Sequence, residues 1–213
     1  MASNLTYQHK FAEGKEKTTL LLLHGTGGDE DNMLPLGHMI SARSSLLSPR
    51  GKVIENGMPR FFRRISEGVF DIEDLKFRSG ELADFVEKAS ATYDFDVNAV
   101  IAVGYSNGAN IAASIILLQL FRFAGAILFR PMVPLVPSNP TDLNGLPVLI
   151  AAGNFDQIVP QAETERLATL FRRAGAGVTL GWQAAGHELN SKEVERATEW
   201  FASKFLTALS RKH

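Results

Sequence analysis

The sequence predicts an α/β fold in which a mostly parallel sheet carries helices on both faces. Apolar runs of strand length alternate along the chain with segments whose apolar residues recur at helical spacing. Strands separated by helices pair in parallel, and their almost continuous apolar character indicates burial on both faces. The length of 213 residues fits one medium-sized domain, so we expect a single domain over residues 1–213 with no separate lid domain.

Each element follows from its pattern in chain order. Apolar runs that end at glycine, proline or a polar turn predict strands at residues 18–25, 44–51, 97–104, 123–129, 146–153 and 177–183. Amphipathic segments between them predict helices at residues 31–43, 71–93, 107–120, 160–175 and 190–209. Asp31 and either Asn190 or Ser191 are predicted helix caps, and residues 5–19 are expected to add an antiparallel edge strand.

Two stretches show no regular pattern, roughly residues 49–72 and the proline-rich segment 130–145. Long loops in a compact domain are often functional, so both are predicted walls of a pocket. The basic cluster at residues 59–64 is interpreted as a solvated or substrate-facing loop. In an open parallel sheet the ligand site lies at the carboxyl ends of the strands, which is where chemistry-bearing residues should collect.

The composition argues against several function classes. The formal net charge is -1 with no long block of one sign, so binding of nucleic acid or of an anionic membrane is not expected. The chain has no cysteine, which excludes disulfides, thiolate metal sites and a cysteine nucleophile. No apolar stretch reaches about 18 residues and the N-terminal segment lacks a signal-peptide core, so we expect a soluble, cytoplasmic protein without a membrane span.

The pentapeptide "GYSNG" at residues 104–108 places a serine between a predicted strand and a predicted helix. It fits the pattern G-x-S-x-G, in which small residues on both sides leave room for a sharp turn. Such a turn presents the Ser106 hydroxyl at the edge of the sheet, beside N–H groups of the helix that suit a developing oxyanion. The sequence therefore predicts Ser106 as a nucleophile, with an ordinary helix-capping serine as the alternative.

A serine hydroxyl needs a base that takes its proton and an acid that orients that base. Only His187 and the terminal His213 follow Ser106 among the histidines, and His187 comes just after the last predicted strand, so it is the expected base. Between serine and histidine, Asp142 precedes a strand, whereas Asp156 follows one and shares the same edge of the sheet. We therefore expect Asp156 to be the acid, in the chain order Ser, Asp, His.

The oxyanion of the predicted reaction needs two hydrogen-bond donors. The backbone N–H of Asn107 is one, and the glycine-rich turn "HGTGG" after the first long strand offers the N–H of Thr26 as the second, with Gly27 next in order. His24 is interpreted as a structural hydrogen-bonding residue of this turn. A dinucleotide or phosphate loop is the rival interpretation, but neither glycine segment matches the corresponding patterns.

Together these residues resemble the small α/β-hydrolase serine esterases of the carboxylesterase, phospholipase and acyl-protein thioesterase family. Four landmarks occur in order over residues 18–209: "HGTGGDEDNMLPL", "GYSNGAN", "GNFDQIVP" and "GHEL". The segments "SPRG", "NGMPRFF" and "LFRPMVP" are similar to a bacterial subgroup linked to hydroquinone resistance. The chain departs from the family at Gln157, where proline is common, and at Asn107, where thioesterase members carry glutamine.

The resemblance implies an α/β-hydrolase fold and a serine hydrolase that cleaves small or medium carboxylic esters through an acyl-enzyme. It implies Ser106, Asp156 and His187 as catalytic residues, with backbone donors at Thr26 and Asn107 and without a metal or cofactor. It also implies a small-molecule ester as substrate and a homodimer as the assembly. A thioesterase, lysophospholipase or lactone hydrolase with the same triad stays open, as does a catalytically silent ligand-binding protein.

The pocket walls are predicted from the loops that flank these residues. Five apolar side chains are expected to contact the acyl or alcohol group, with ordinary core packing as the alternative for some of them: Phe61, Phe62, Met132, Phe155 and Ile158. Arg60 or Arg130 is expected to select an anionic substrate, and Arg130 is better placed because it directly follows a strand. The favoured interpretation of such an arginine is nevertheless a structural role in which it binds loop carbonyls.

Overall fold

The structure of the chain is a computed structural model that describes residues 5–139 and 141–206. The strands are β1 (His9–Ala12), β2 (Thr19–Leu23), β3 (Ser45–Pro49), β4 (Val53–Glu55), β5 (Met58–Arg60), β6 (Arg64–Ser66), β7 (Val69–Phe70), β8 (Val100–Tyr105), β9 (Gly125–Phe129), β10 (Pro147–Gly153) and β11 (Gly177–Gln183). The helices are α1 (Leu34–Ile40), α2 (Ile72–Tyr93), α3 (Asn107–Leu117), α4 (Gln161–Arg173) and α5 (Ser191–Phe201). A 3₁₀ turn (Val97–Ala99) precedes β8, and a π-helical turn (Ala202–Leu206) follows α5.

Within the described ranges, seven strands form the central sheet in the order β1-β3-β2-β8-β9-β10-β11. β1 pairs with β3 in antiparallel fashion at the edge, and every other pairing in this sheet is parallel. The predicted mostly parallel sheet with an antiparallel edge strand is therefore confirmed. The chain places β3 on one side of β2 and β8 on the other, so the loops after β2 and β8 diverge and leave a crevice between them.

The core lies on both faces of this sheet because successive strand residues point to opposite sides. On β2, Leu21 and Leu23 face the layer that contains α2, α3 and α4, whereas Leu20 and Leu22 face the layer that contains α1 and α5. All four leucines are fully buried, and β8, β9 and β10 alternate in the same way. Burial of both faces accounts for the apolar runs in the sequence and confirms helices on both sides of the sheet.

Helix ends and the first long loop differ in part from the sequence-based expectation. α1 begins at Leu34 with Met33 in the cap position, while the predicted cap Asp31 instead pairs with Lys10 at 2.6 Å. Residues 53–70 are not irregular, because they form the two antiparallel hairpins β4–β5 and β6–β7. Short strands closed by tight turns bury little apolar surface, so they leave no periodic signal in the sequence.

At the other end of the chain, Asn190 is the cap of α5, as predicted. Its side chain accepts the N–H of Glu193, and the Glu193 side chain accepts the N–H of Asn190, which completes a capping box. The predicted helix extends to residue 209, and residues 207–209 lie outside the described residues. No helix in the described part of the chain combines the length and the apolar character that a membrane crossing requires.

Candidate active site

The turn at Ser106 joins β8 to α3 through a strained backbone. Ser106 has a φ of 51° and a ψ of -111°, a conformation that residues with side chains rarely adopt. A Cβ atom at position 108 would lie 2.0 Å from the carbonyl oxygen of Leu23, and one at position 104 would lie 2.6 Å from the backbone of Ala109. Only glycine at these two positions lets the chain turn this sharply between two buried segments.

The Ser106 side chain does not cap the helix that it precedes. It occupies the cap position of α3, but its hydroxyl makes no hydrogen bond to the helix N–H groups. The hydroxyl oxygen lies instead 3.0 Å from Nε2 of His187. This geometry disfavours the alternative of an ordinary helix-capping serine and leaves the hydroxyl directed at a base.

His187 and Asp156 complete a hydrogen-bonded chain with Ser106. Nδ1 of His187 lies 2.8 Å from Oδ2 of Asp156, a distance at which the ring donates its proton to the carboxylate and keeps Nε2 free to accept one. The other carboxylate oxygen accepts the N–H groups of Ile158, at 2.8 Å, and Val159, at 3.0 Å. His187 is therefore within hydrogen-bond distance of the other two predicted catalytic side chains, although the three residues follow different strands, β8, β10 and β11.

The Asp156 carboxyl is held in its ionised form. Burial would by itself raise its pKa, but the hydrogen bonds that it accepts, first that of the Val159 N–H and then that of the His187 ring, leave the pKa below its ordinary value. An ionised carboxylate beside Nδ1 stabilises a protonated imidazole. The rejected candidate Asp142 lies beside a cavity of about 600 Å³ at the opposite end of the strands, a cavity whose walls contain none of the predicted catalytic residues.

Arg130 is not positioned to bind a substrate, which corrects its expected place among the pocket residues. Its side chain is fully buried and forms an ion pair with Glu193, in which Nη1 and Nη2 of Arg130 each donate to one carboxylate oxygen. The same guanidinium donates to the carbonyl oxygens of Gly186 and Glu188, both at 2.9 Å, on either side of His187. The structure thus shows the interpretation that the sequence favours, a structural arginine that binds loop carbonyls.

This buried ion pair supports both the acid and the base. Nε of Arg130 lies 3.8 Å from Oδ2 of Asp156, the oxygen that contacts the His187 ring. Tyr105 adds a further contact, because its hydroxyl donates to the carbonyl oxygen of His187 at 3.1 Å. No role for Tyr105 or for Glu193 was predicted from the sequence. The signals available were that Tyr105 precedes the serine and that Glu193 lies in the first turn of a capped helix.

The glycine-rich turn after β2 leaves one of its two candidate donors available. The N–H of Gly27 already donates to the carbonyl oxygen of Pro59 at 2.9 Å, so it is engaged elsewhere. In the described part of the chain the N–H of Thr26 has no hydrogen-bond acceptor, and Thr26 lines the same cavity as Ser106. Asn107 is the first residue of α3, where a backbone N–H has no acceptor within the helix.

The His24 side chain forms two hydrogen bonds that hold this turn. Its Nε2 accepts the N–H of Gly51 at 2.9 Å, so its Nδ1 must carry the proton that it donates to the carbonyl oxygen of Gly25 at 2.7 Å. Burial lowers the pKa of His24, which the Gly25 carbonyl only partly opposes, and the ring therefore stays neutral. His24 thus has the structural role that the sequence predicts for it.

A cavity of about 240 Å³ opens beside Ser106 and His187. Of the predicted wall residues, Met132 and Ile158 line it, together with Phe70 and Val159 on the apolar side. Its polar side includes five residues of the neighbouring segments: Thr26, Arg60, Arg64, Glu67 and Asn110. The basic segment at residues 59–64 therefore does face the cavity, through its first and last arginines.

The structure does not place the three predicted phenylalanines in the walls of this cavity. Phe61 and Phe62 have no exposed surface and pack in the core beneath the hairpins, so a ligand does not reach them. Phe155 is 69% exposed and lies outside the cavity, because the turn after β10 directs it to solvent while Asp156 points inward. Loop residues have no fixed alternation, so the sequence alone could not assign these side chains to a face.

Comparisons with known proteins agree with this fold. The family model described as phospholipase/carboxylesterase matches residues 10–205. The chain belongs to this family. It is 48% identical, over 91% of its length and 97% of the other chain, to MhqD of Bacillus subtilis (strain 168), a protein whose name describes it as a hydrolase.

Solved structures of this family are also similar. The chain shares 48% identity and a TM-score of 0.92 with a carboxylesterase of Bacillus cereus, over 95% of this chain and 96% of that one. It shares 30% identity and a TM-score of 0.83 with a carboxylesterase of Mesorhizobium loti, over 89% and 90% of the two chains. The fold is therefore that of the α/β-hydrolases, as the resemblance implied, and the chain is a hydrolase of the phospholipase/carboxylesterase family.

Replacement of Arg130 tests the buried ion pair. Arg130→Met leaves the Glu193 carboxylate buried without a partner, so we expect the free energy of unfolding to fall by about 3–5 kcal/mol. Arg166→Met is the control, because Arg166 pairs with Glu163 at the surface and should contribute about 0–1 kcal/mol. Urea unfolding measures both variants. Equal effects of the two replacements would contradict the structural role of Arg130.

The neutral state of His24 predicts a pH dependence of stability. Because burial lowers the pKa of His24 below its usual value of 6.5, the unfolded chain takes up a proton there before the folded chain does. The free energy of unfolding should therefore decrease as the pH falls below about 6.5. In His24→Gln the amide oxygen can still accept the Gly51 N–H, but glutamine does not take up a proton. The part of the stability decrease that comes from His24 should therefore disappear. Urea unfolding at several pH values between about 5 and 8 compares the two slopes, and identical slopes would refute the prediction.

Proposed function

We propose that the chain is a serine hydrolase that cleaves small carboxylic esters through an acyl-enzyme. The hydrogen-bonded chain of Ser106, His187 and Asp156 at the mouth of a cavity is the observation that carries this proposal. Membership of a family described as phospholipase/carboxylesterase supports ester hydrolysis in general. The hydrogen-bond geometry of these residues supports Ser106 as the nucleophile, His187 as the base and Asp156 as the acid.

In the proposed first step, Nε2 of His187 takes the hydroxyl proton of Ser106 as the serine oxygen attacks the ester carbonyl carbon. The carbonyl oxygen becomes an oxyanion, which the N–H groups of Thr26 and Asn107 bind. The positive end of the α3 dipole points at the same place and adds to this stabilisation. The ionised Asp156 stabilises the imidazolium that forms.

In the proposed second step the imidazolium gives its proton to the leaving group. His187 protonates the alkoxide oxygen of the leaving group as the carbon–oxygen bond breaks, which releases the alcohol and leaves an acyl group on Ser106. A water molecule then gives a proton to His187 and attacks the acyl carbon. His187 then gives this proton to the Ser106 oxygen as the bond between that oxygen and the acyl carbon breaks, which releases the acid and restores the hydroxyl.

The cavity favours short acyl groups over long ones. Its volume of about 240 Å³ is near the lower end of small-molecule sites, and Phe70, Met132 and Ile158 give it an apolar side. A lysophospholipid acyl chain would extend far beyond these walls, which makes a lysophospholipase the less favoured of the related activities. A silent ligand-binding role is disfavoured because three polar side chains are held in catalytic geometry, which ligand binding alone does not require.

Replacement of the proposed catalytic residues tests the function directly. Ser106→Ala should lower kcat/KM for p-nitrophenyl acetate by about 10³-fold or more, because the nucleophile is lost. Asp156→Asn should lower kcat by up to about 10⁴-fold, because the amide no longer holds the reactive tautomer of His187. Asp142→Asn, far from the site, is the control and should keep normal activity. Retained hydrolysis by Ser106→Ala would reject the proposal.

A series of p-nitrophenyl esters tests the substrate size. Because the cavity is small, kcat/KM should be highest for acetyl to butyryl esters and should fall by about tenfold or more for decanoyl and longer esters. Ile158→Ala and Met132→Ala enlarge the apolar side and should shift the preference towards longer chains. Steady-state kinetics with each ester measure this. A preference of the wild-type protein for the longest esters would contradict the size limit.

A further inference from the structure

The end of β5 is hydrogen-bonded to the loop that carries one proposed oxyanion donor. The carbonyl oxygen of Pro59 accepts the N–H of Gly27 at 2.9 Å. Nη1 of the next residue, Arg60, donates to Oγ1 of Thr26 at 2.7 Å. Two successive residues of one strand therefore fix the backbone and the side chain of the turn on which the Thr26 N–H lies.

The following residue is hydrogen-bonded to the second proposed donor. The N–H of Phe61 donates to Oδ1 of Asn107 at 2.7 Å, and both residues are buried. Asn107 carries the other oxyanion N–H on its own backbone. Three consecutive residues, Pro59 to Phe61, thus contact both loops, one after β2 and the other after β8, across the crevice that separates them.

Arg60 is the side chain that this arrangement depends on. It is 3% exposed, and its Nε contacts the carbonyl oxygen of Phe62 at 3.3 Å and the carboxylate of Glu55 at 3.5 Å. Burial lowers the pKa of Arg60 from its ordinary value, which reflects the cost of keeping a charged group out of water. An apolar residue would fill the same place without that cost, so packing alone does not explain an arginine here.

The spacing of two oxyanion donors matters for the rate. Donors must lie about 2.7–3.1 Å from the oxygen that becomes charged, and a displacement of about 1 Å can lower the rate about 10²-fold. Within the turn after β2 the Gly28 N–H donates to the Gly25 carbonyl oxygen at 3.1 Å, and His24 binds the same oxygen. Pro59 and Arg60 add the hydrogen bonds to Gly27 and to the Thr26 side chain, which are the contacts next to the proposed donor.

We propose that Arg60 is a positioning residue of this hydrolase, which together with Pro59 and Phe61 sets the distance between the Thr26 and Asn107 donors. This inference rests on the proposed function. Arg60 touches neither the serine nor the base, and it acts through the Thr26 hydroxyl. Loss of Arg60 should therefore weaken the stabilisation of the transition state, in which the oxyanion develops, more than it weakens substrate binding.

Two variants with p-nitrophenyl acetate as substrate test the inference. Arg60→Met removes the donor and Thr26→Val removes the acceptor, and each should lower kcat about 10- to 100-fold while KM changes less than about threefold. Thr26→Ser keeps the hydroxyl and should retain most of the activity. Both single changes break the same hydrogen bond, the one between Arg60 and Thr26. The kcat of the double variant should therefore be about that of either single variant, and the two losses should not multiply.

Arg63→Met is the matched control. Arg63 lies in the same segment and pairs with Asp71 at 3.1 Å, but it is largely exposed and lies outside the cavity, so its loss should leave kcat unchanged. Circular dichroism and thermal unfolding check that each variant is folded. If Arg60→Met does not fold, the near-isosteric Thr26→Val tests the inference alone. It should show the same result, a lower kcat with little change in KM.

Each outcome supports or overturns the inference. A selective fall in kcat with rescue by Thr26→Ser supports it. Three results would overturn it while the proposed function stands. The first is an unchanged kcat in folded Arg60→Met or Thr26→Val. The others are losses of kcat that multiply in the double variant and an effect confined to KM. Hydrolysis by the wild-type protein that survives Ser106→Ala would overturn the proposed function and the inference with it.

Discussion

The close contact between the start of α3 and the end of β2 constrains the rest of the site. Only glycine fits at position 108, because any side chain there would collide with the Leu23 carbonyl oxygen. This contact brings Ser106 beside the loop after β2, in a backbone conformation that costs on the order of 1–3 kcal/mol. The Ser106 N–H donates to the carbonyl oxygen of Phe129 at 2.9 Å, and the buried segments on both sides hold the turn.

Two polar networks then fix the groups around the serine. On one side the Arg130–Glu193 pair holds the carbonyls that flank His187 and approaches Asp156, so the acid and base loops are joined by one buried guanidinium. On the other side Arg60 and its neighbours join the two loops that carry the proposed donors. Both arginines link loops that follow different strands, where the backbone alone offers few contacts. Buried charge therefore supplies rigidity at the edge of the sheet where regular structure ends.

The sheet and the three aligned side chains could be predicted because they depend on order along the chain. A residue that directly follows a parallel strand lies at the carboxyl edge of the sheet, so the sequence alone predicts that Ser106, Asp156 and His187 lie close together, as they do. The pocket walls depend on tertiary packing instead. Phe61 is buried and Phe155 is exposed, and nothing in a loop sequence states which side of the chain meets the core. The role of Arg130 depends on Glu193, which lies 63 residues away in the sequence.

The central claim is that Ser106 is a nucleophile activated by His187. Labelling with a fluorophosphonate, followed by peptide mapping with mass spectrometry, tests it most directly because this reagent reacts covalently with activated serines. We expect one adduct, on the peptide that contains Ser106, and none in Ser106→Ala. Labelling of His187→Ala should be much slower. If the folded wild-type protein forms no adduct, or if an adduct persists in Ser106→Ala, Ser106 is not the nucleophile.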